Sequence, residues 1–133
     1  MELREITGAI IGAATEVHRT LGPGFKPSNY QKALVYELEL SGLKVNQYVE
    51  IPVNYKGMQV SNDSDNLIID MIVEDEVVVE IKMLDEINEV SFRRMLSHIR
   101  MADKPCGLIL NFNVTRLKDG IRNVMNTNNR AEL

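Results

Sequence analysis

Cysteine, histidine and long apolar runs are scarce in this sequence, and each shortage removes a class of protein. The single cysteine, Cys106, excludes a disulfide framework within the chain and any cysteine-rich zinc site. The two histidines, His18 and His98, lie far apart and give no metal-ligand spacing. No apolar run approaches the roughly 20 residues needed to span a bilayer. The amino terminus, Met1-Glu2-Leu3-Arg4-Glu5, lacks the cationic-then-apolar order of a signal peptide. A cytoplasmic protein without a membrane partner is the expectation. Basic excess is missing too: 15 Lys and Arg stand against 19 Asp and Glu, a net charge of −4. Non-specific nucleic-acid binders usually carry a basic footprint. Arg93, Arg94, Arg100 and Lys104 nevertheless make one segment locally basic.

What remains is ordinary for a globular chain: 133 residues, 44% hydrophobic and 26% charged. No internal repeat, low-complexity stretch or linker divides it. Residues 1–133 therefore read as a single domain, with 126–133 as a flexible tail. Leu3, Ile6, Ile10, Ala14, Val17 and Leu21 recur at spacings of three and four and predict a first helix, stopped by Gly22-Pro23-Gly24. A second helix is expected over Ser28 to Leu40, with Tyr30, Ala33, Leu34 and Leu38 as its stripe. Glu37 falls near the middle of that stripe, an odd place for a carboxylate.

The period then changes to two. Val45 to Tyr55 reads as extended chain, Lys56-Gly57 as a turn, and Ser61 to Asn66 as a polar loop. Leu67 to Val73 and Val77 to Lys82 are strands joined by Glu74-Asp75-Glu76. A third helix covers Ile87 to Met101, followed by a buried strand, Gly107 to Phe112, and a last helix, Thr115 to Met125. The fold class is α/β (α+β) in the order α-α-β-β-β-α-β-α, an antiparallel meander followed by a crossover helix and a further strand.

The hairpin carries the chemistry. A three-residue loop pairs Val73 with Val77 and sets Asp70 opposite Glu80. Directly opposed residues have Cβ atoms roughly 4.5–5.5 Å apart, where two carboxylates repel. A divalent cation turns that repulsion into coordination, since Mg²⁺ prefers oxygen ligands. Alternation puts Lys82 on the face of Glu80. Such a set suits phosphodiester hydrolysis, the metal activating water and the lysine orienting the nucleophile or meeting developing charge. The same residues also have a plain structural reading, Lys82 as a surface partner for Glu80 and Asp70 as a solvated strand-end charge.

The whole chain resembles the GxxExxY proteins, a prokaryote-rich family of the PD-(D/E)XK nuclease superfamily. The resemblance runs through Leu21-Gly22-Pro23-Gly24, Ala33-Leu34, Glu37-Leu38 and Gly42-Leu43. It continues through Asp70, Val77 to Lys82, Leu110 to Asn113 and Leu117 to Ile121. It implies a restriction-endonuclease-like core, a central mixed sheet flanked by helices, with Asp70 and Glu80 as ligands of Mg²⁺ (or Mn²⁺) and Lys82 as the catalytic lysine. The implied partner is nucleic acid, DNA or RNA, and a homodimer is an assembly the sequence leaves open. The chain departs from the family's naming motif at Pro27, which stands where a Glu belongs. A proline there opens a helix but binds no metal. Arg94 and His98 align with a Gln and a Tyr of such nucleases, one turn apart on one helix face. The alternative function is a catalytically impaired relative serving as a binding or assembly module.

Glu37, Arg94 and His98 are accessory site candidates. Glu37 either supplies the carboxylate that Pro27 does not, or bonds a backbone N–H or an arginine. Arg94 and His98 either contact a phosphate or form an exposed helical pair. His18 reads as a satisfied packing residue, Cys106 as a small buried hydrophobe, and Asn111 and Asn113 as turn caps.

Overall fold

The computed structural model describes residues 1–127. Its helices are α1 (Leu3–Leu21), α2 (Pro27–Leu40) and α3 (Glu89–Ala102). Its strands are β1 (Val45–Ile51), β2 (Asn54–Tyr55), β3 (Met58–Gln59), β4 (Leu67–Val73), β5 (Val77–Lys82), β6 (Cys106–Asn111) and β7 (Ile121–Met125). Five strands form one sheet in the order β1-β4-β5-β6-β7. The β5–β6 pair is parallel and the others are antiparallel, so the expected mixed sheet is present. β2 and β3 form a separate small hairpin on the Lys56-Gly57 turn.

The sheet has a core on each face. Ile6, Ile10, Ala14 and Val17 of α1 and Tyr30, Leu34 and Leu38 of α2 pack on Val77, Val79, Ile81, Leu108 and Leu110. Met95 and Ile99 of α3 cover Ile72, Val78, Ile109 and Val124 on the other face. α3 joins parallel neighbours, the connection such strands require. It lies close to the sheet because Gly107 carries no side chain: a Cβ there would stand 2.5 Å from Met95 Sδ and 2.9 Å from Ile99 Cγ2.

Two expectations are corrected here. The last helix, Thr115 to Met125, is instead a short 3₁₀ turn over Leu117–Gly120 followed by strand β7. A helix there would carry Gly120 in its interior at a cost of about 1 kcal/mol. Ile121–Met125 instead fills the open edge of β6. Asn126, the first residue of the expected tail, is held by the fold. Asn126 is buried, its N–H donating to Pro105 O at 2.8 Å and its Nδ2 to Lys104 O at 2.9 Å. The remainder of that segment, 128–133, lies outside the described residues.

The 3₁₀ turn sits directly on the end of β6, where a Cβ on Gly120 would fall 2.1 Å from the Asn111 carbonyl oxygen. Backbone cannot retreat as a flexible side chain can. Gly120→Ala is expected to destabilise the fold by about 1–3 kcal/mol, read from denaturant midpoints. An unchanged midpoint would show that the turn moves freely off β6.

Candidate functional site

The loop Glu74-Asp75-Glu76 makes the expected connection, with Val73 paired to Val77. The ladder continues through Ile72↔Val78 and Met71↔Val79 and then stops. Asp70 and Glu80 are next in line, yet they are not a ladder pair, which corrects the expected direct opposition. The Asp70 side chain bridges the strands instead: the Ile81 N–H donates to Asp70 Oδ2 at 2.8 Å.

The interruption originates in β4 and its other neighbour. Ile69 packs with the α3-side core while Met71 packs with the opposite core, although alternation would put both on one face. Across from Asp70, Tyr48 of β1 has φ 51°, a left-handed conformation rare for a bulky residue. The β1–β4 register skips Tyr48 and Asp70 but resumes beyond them. The backbone polar groups released at such a kink need partners. Gln31 of α2, nearly fully buried, donates its Nε2 to the Asp70 carbonyl at 2.9 Å and to Gln47 Oε1 at 3.2 Å. Sequence reasoning passed over Gln31; an amide beside Tyr30 on a packed helix face was its one signal.

Glu80 and Lys82 share the α3 side of β5. Glu80 is 5% exposed, a costly position for a carboxylate without a partner. His98 of α3 supplies one, Nδ1 lying 2.5 Å from Glu80 Oε2. Lys82 and Arg94 line a pocket of about 360 Å³ together with Glu80, Asn88 and Ser91. The chain after Lys82 is fixed by Asn111, itself 1% exposed. The Leu84 N–H donates to Asn111 Oδ1 at 2.9 Å, and Asn111 Nδ2 donates to Leu84 O at 3.0 Å. Asn113 Nδ2 donates to the same carbonyl at 3.1 Å.

Other sequence candidates lie elsewhere. α2 buries Tyr30, Gln31, Leu34, Val35 and Leu38, a face rotated from the expected stripe. Glu37 consequently lines a groove with Glu16, Val17 and Thr20 of α1, away from Asp70 and Glu80. Pro27 is exposed at the first position of α2, one turn before Gln31. His18 is a packing residue, its Nε2 2.8 Å from Val114 O and its ring against Phe112. Cys106 is buried, and burial pushes its thiol up to about 11.

A family model described as the PD-(D/E)XK nuclease superfamily matches residues 4–124. The chain belongs to the PD-(D/E)XK nuclease superfamily. No curated protein and no solved structure matches it. The superfamily accounts for the restriction-endonuclease-like mixed sheet. No helix among the described residues is long and apolar enough to cross a membrane.

A divalent cation is the group such a fold implies, and the donors fit a hard cation with a thin protein shell. Among the described residues no three His, Cys, Asp or Glu side chains gather into a metal cluster. Two carboxylates, Asp70 and Glu80, are near enough for one charge to act on the other, and each has one oxygen in a hydrogen bond. Mg²⁺ commonly takes one or two carboxylates and completes its octahedron with water and substrate phosphate.

Electrostatics agree with that need. Burial holds the Asp70 carboxyl above its ordinary value; the Ile81 N–H opposes the shift, the Glu80 charge adds to it, and Lys82 and His98 oppose it. An acid raised in the folded state keeps its proton where the unfolded chain has lost it. Stability therefore falls as pH rises through the window that opens near the ordinary value of 3.8 and ends at the raised one. In metal-free buffer, Asp70→Asn should melt above the wild type at neutral pH. That gap should close as pH is lowered through the window. A gap independent of pH would show that Asp70 is not the group responsible.

Proposed function

We propose that this chain hydrolyses phosphodiester bonds in nucleic acid, using Mg²⁺ or Mn²⁺ held by Asp70 and Glu80 with Lys82 beside the nucleophile. The observation carrying this reading is the Asp70 carboxylate, fastened to the Ile81 N–H where β4 parts from β5 and close to Glu80 and Lys82. When bound, the cation polarises a phosphoryl oxygen and makes its water a nucleophile near neutral pH. Asp70 is oriented by the Ile81 N–H, so little of its freedom is left to lose on binding. Glu80 is held by His98 and walled in by the sheet and α3. Lys82 lines the pocket beside Glu80, its ammonium able to orient the attacking oxygen and offset the charge that builds on phosphorus oxygens.

A second reading, a binding module on the same fold, draws on one observation: Glu80 already spends an oxygen on His98. The two readings separate in one set of assays. A ligand that binds only the folded state raises its stability by RT ln(1 + [L]/Kd). Millimolar Mg²⁺ or Mn²⁺ should raise the melting temperature of the wild type, and Asp70→Asn should lose most of that rise. Lys82→Ala should keep the rise and lose about 10²–10³ in cleavage rate. Metal stabilisation with no cleavage of single-stranded, duplex or branched substrates would favour the binding module. An equal metal response in wild type and Asp70→Asn would remove the metal site altogether.

A further inference from the structure

We propose that Arg94 and Lys82 form an anion subsite that grips a backbone phosphate of the nucleic-acid strand lying against the carboxylate pair. The inference rests on the nuclease reading and adds a residue to it. Arg94 projects from α3 into the pocket of about 360 Å³ that also receives Lys82, Glu80, Asn88 and Ser91. Of the three charged side chains in that lining, two are cations, and the carboxylate already has His98 against one of its oxygens.

The other basic groups of α3 and of the segment after it are answered within the fold. Arg93 pairs with Glu89 at 3.2 Å, Lys104 with Asp75 at 3.0 Å, and Arg100 donates to Thr127 Oγ1 at 3.4 Å. Arg94 and Lys82 have no ion-pair partner among the described residues. Asp85 and Glu86, on the loop before α3, are exposed and do not line the pocket. Two cations without an ion-pair partner thus line one pocket, where an incoming anion can meet both.

The helix fixes where that charge stands. Met95 and Ile99 are buried against the sheet, which locks the rotation of α3. Residues four apart share a helix face, so the packing that sets His98 on Glu80 also aims Arg94 at the pocket one turn earlier. A guanidinium is well matched to a phosphate, because its planar fork meets two oxygens at once, which an ammonium cannot. Arg94 is therefore a substrate-gripping residue, separate from the groups proposed to hold the metal.

The test is binding of fluorescently labelled single-stranded and duplex oligonucleotides by anisotropy, without divalent metal so that no cleavage intervenes, across a range of salt. Arg94 is exposed, so its variants are expected to fold, and their melting temperatures verify that. Arg94→Gln should weaken binding by about ten- to hundredfold. The slope of log K against log salt should become shallower by about 0.7 for single strands and about 0.9 for duplex. Arg94→Lys, which keeps the charge and loses the fork, should keep the slope while recovering only part of the affinity. Wild-type affinity and slope in Arg94→Gln would overturn the inference, and so would a wild type that binds neither oligonucleotide. Metal-dependent melting and Mn²⁺-dependent cleavage report on the nuclease reading separately, so either can fail without the other.

Discussion

The hydrogen bond from the Ile81 N–H to the Asp70 carboxylate organises this molecule. It stands where a strand-to-strand backbone bond would otherwise be, and it allows β4 to part from β5 without leaving that N–H unpaired. The parting requires a kink in β4, and the kink is shared by β1, where Tyr48 turns left-handed. It also leaves the Asp70 carbonyl to be met by Gln31, which ties the break in the sheet to the face of α2. A regular ladder through Asp70 would be cheaper for stability alone. The structure instead keeps a partly buried carboxyl above its ordinary pKa beside a second, buried carboxylate. Strain and like charge of this kind collect at functional sites.

The opposite wall of the site is built from α3 and the end of β6. Gly107 lets the helix lie close, Met95 and Ile99 fix its rotation, and His98 then reaches Glu80. Removing one partner of a buried polar pair costs more than the pair contributes, because the other group is left stranded. The Glu80–His98 contact is thus as much a condition for keeping Glu80 buried as a feature of the site. Asn111 does a similar service for the segment after Lys82. Its amide bonds both the N–H and the carbonyl of Leu84, and the 3₁₀ turn carrying Gly120 presses on its backbone. The segment that follows Lys82 is thus fixed from the end of β6.

Much of this was legible in the sequence wherever local pattern and tertiary demand agree. The stripe of α1 and the stop at Gly22 needed no partner to be read. The register of the β4–β5 hairpin followed from a three-residue loop, and with it the neighbourhood of Asp70, Glu80 and Lys82. The failures share a cause: each depended on a distant element. The kink at Asp70 depends on Tyr48 and Gln31, and nothing near Asp70 announces either. The face of α2 is set by where the sheet lies, so Glu37, central to the helical stripe, turns out in a groove against α1. The carboxy-terminal strand depends on an open edge of β6 that the segment itself does not encode. Its Ile121 and Val124 are compatible with either a helix or a strand, and the edge decides.

The central claim is that Asp70 and Glu80 serve one cation at the point where the strands part. Anomalous diffraction from crystals soaked in Mn²⁺ addresses it most directly. A single strong peak bound by both carboxylates is expected, with the Ile81 N–H still on Asp70. A peak bound elsewhere, or saturating Mn²⁺ with none between Asp70 and Glu80, would contradict it.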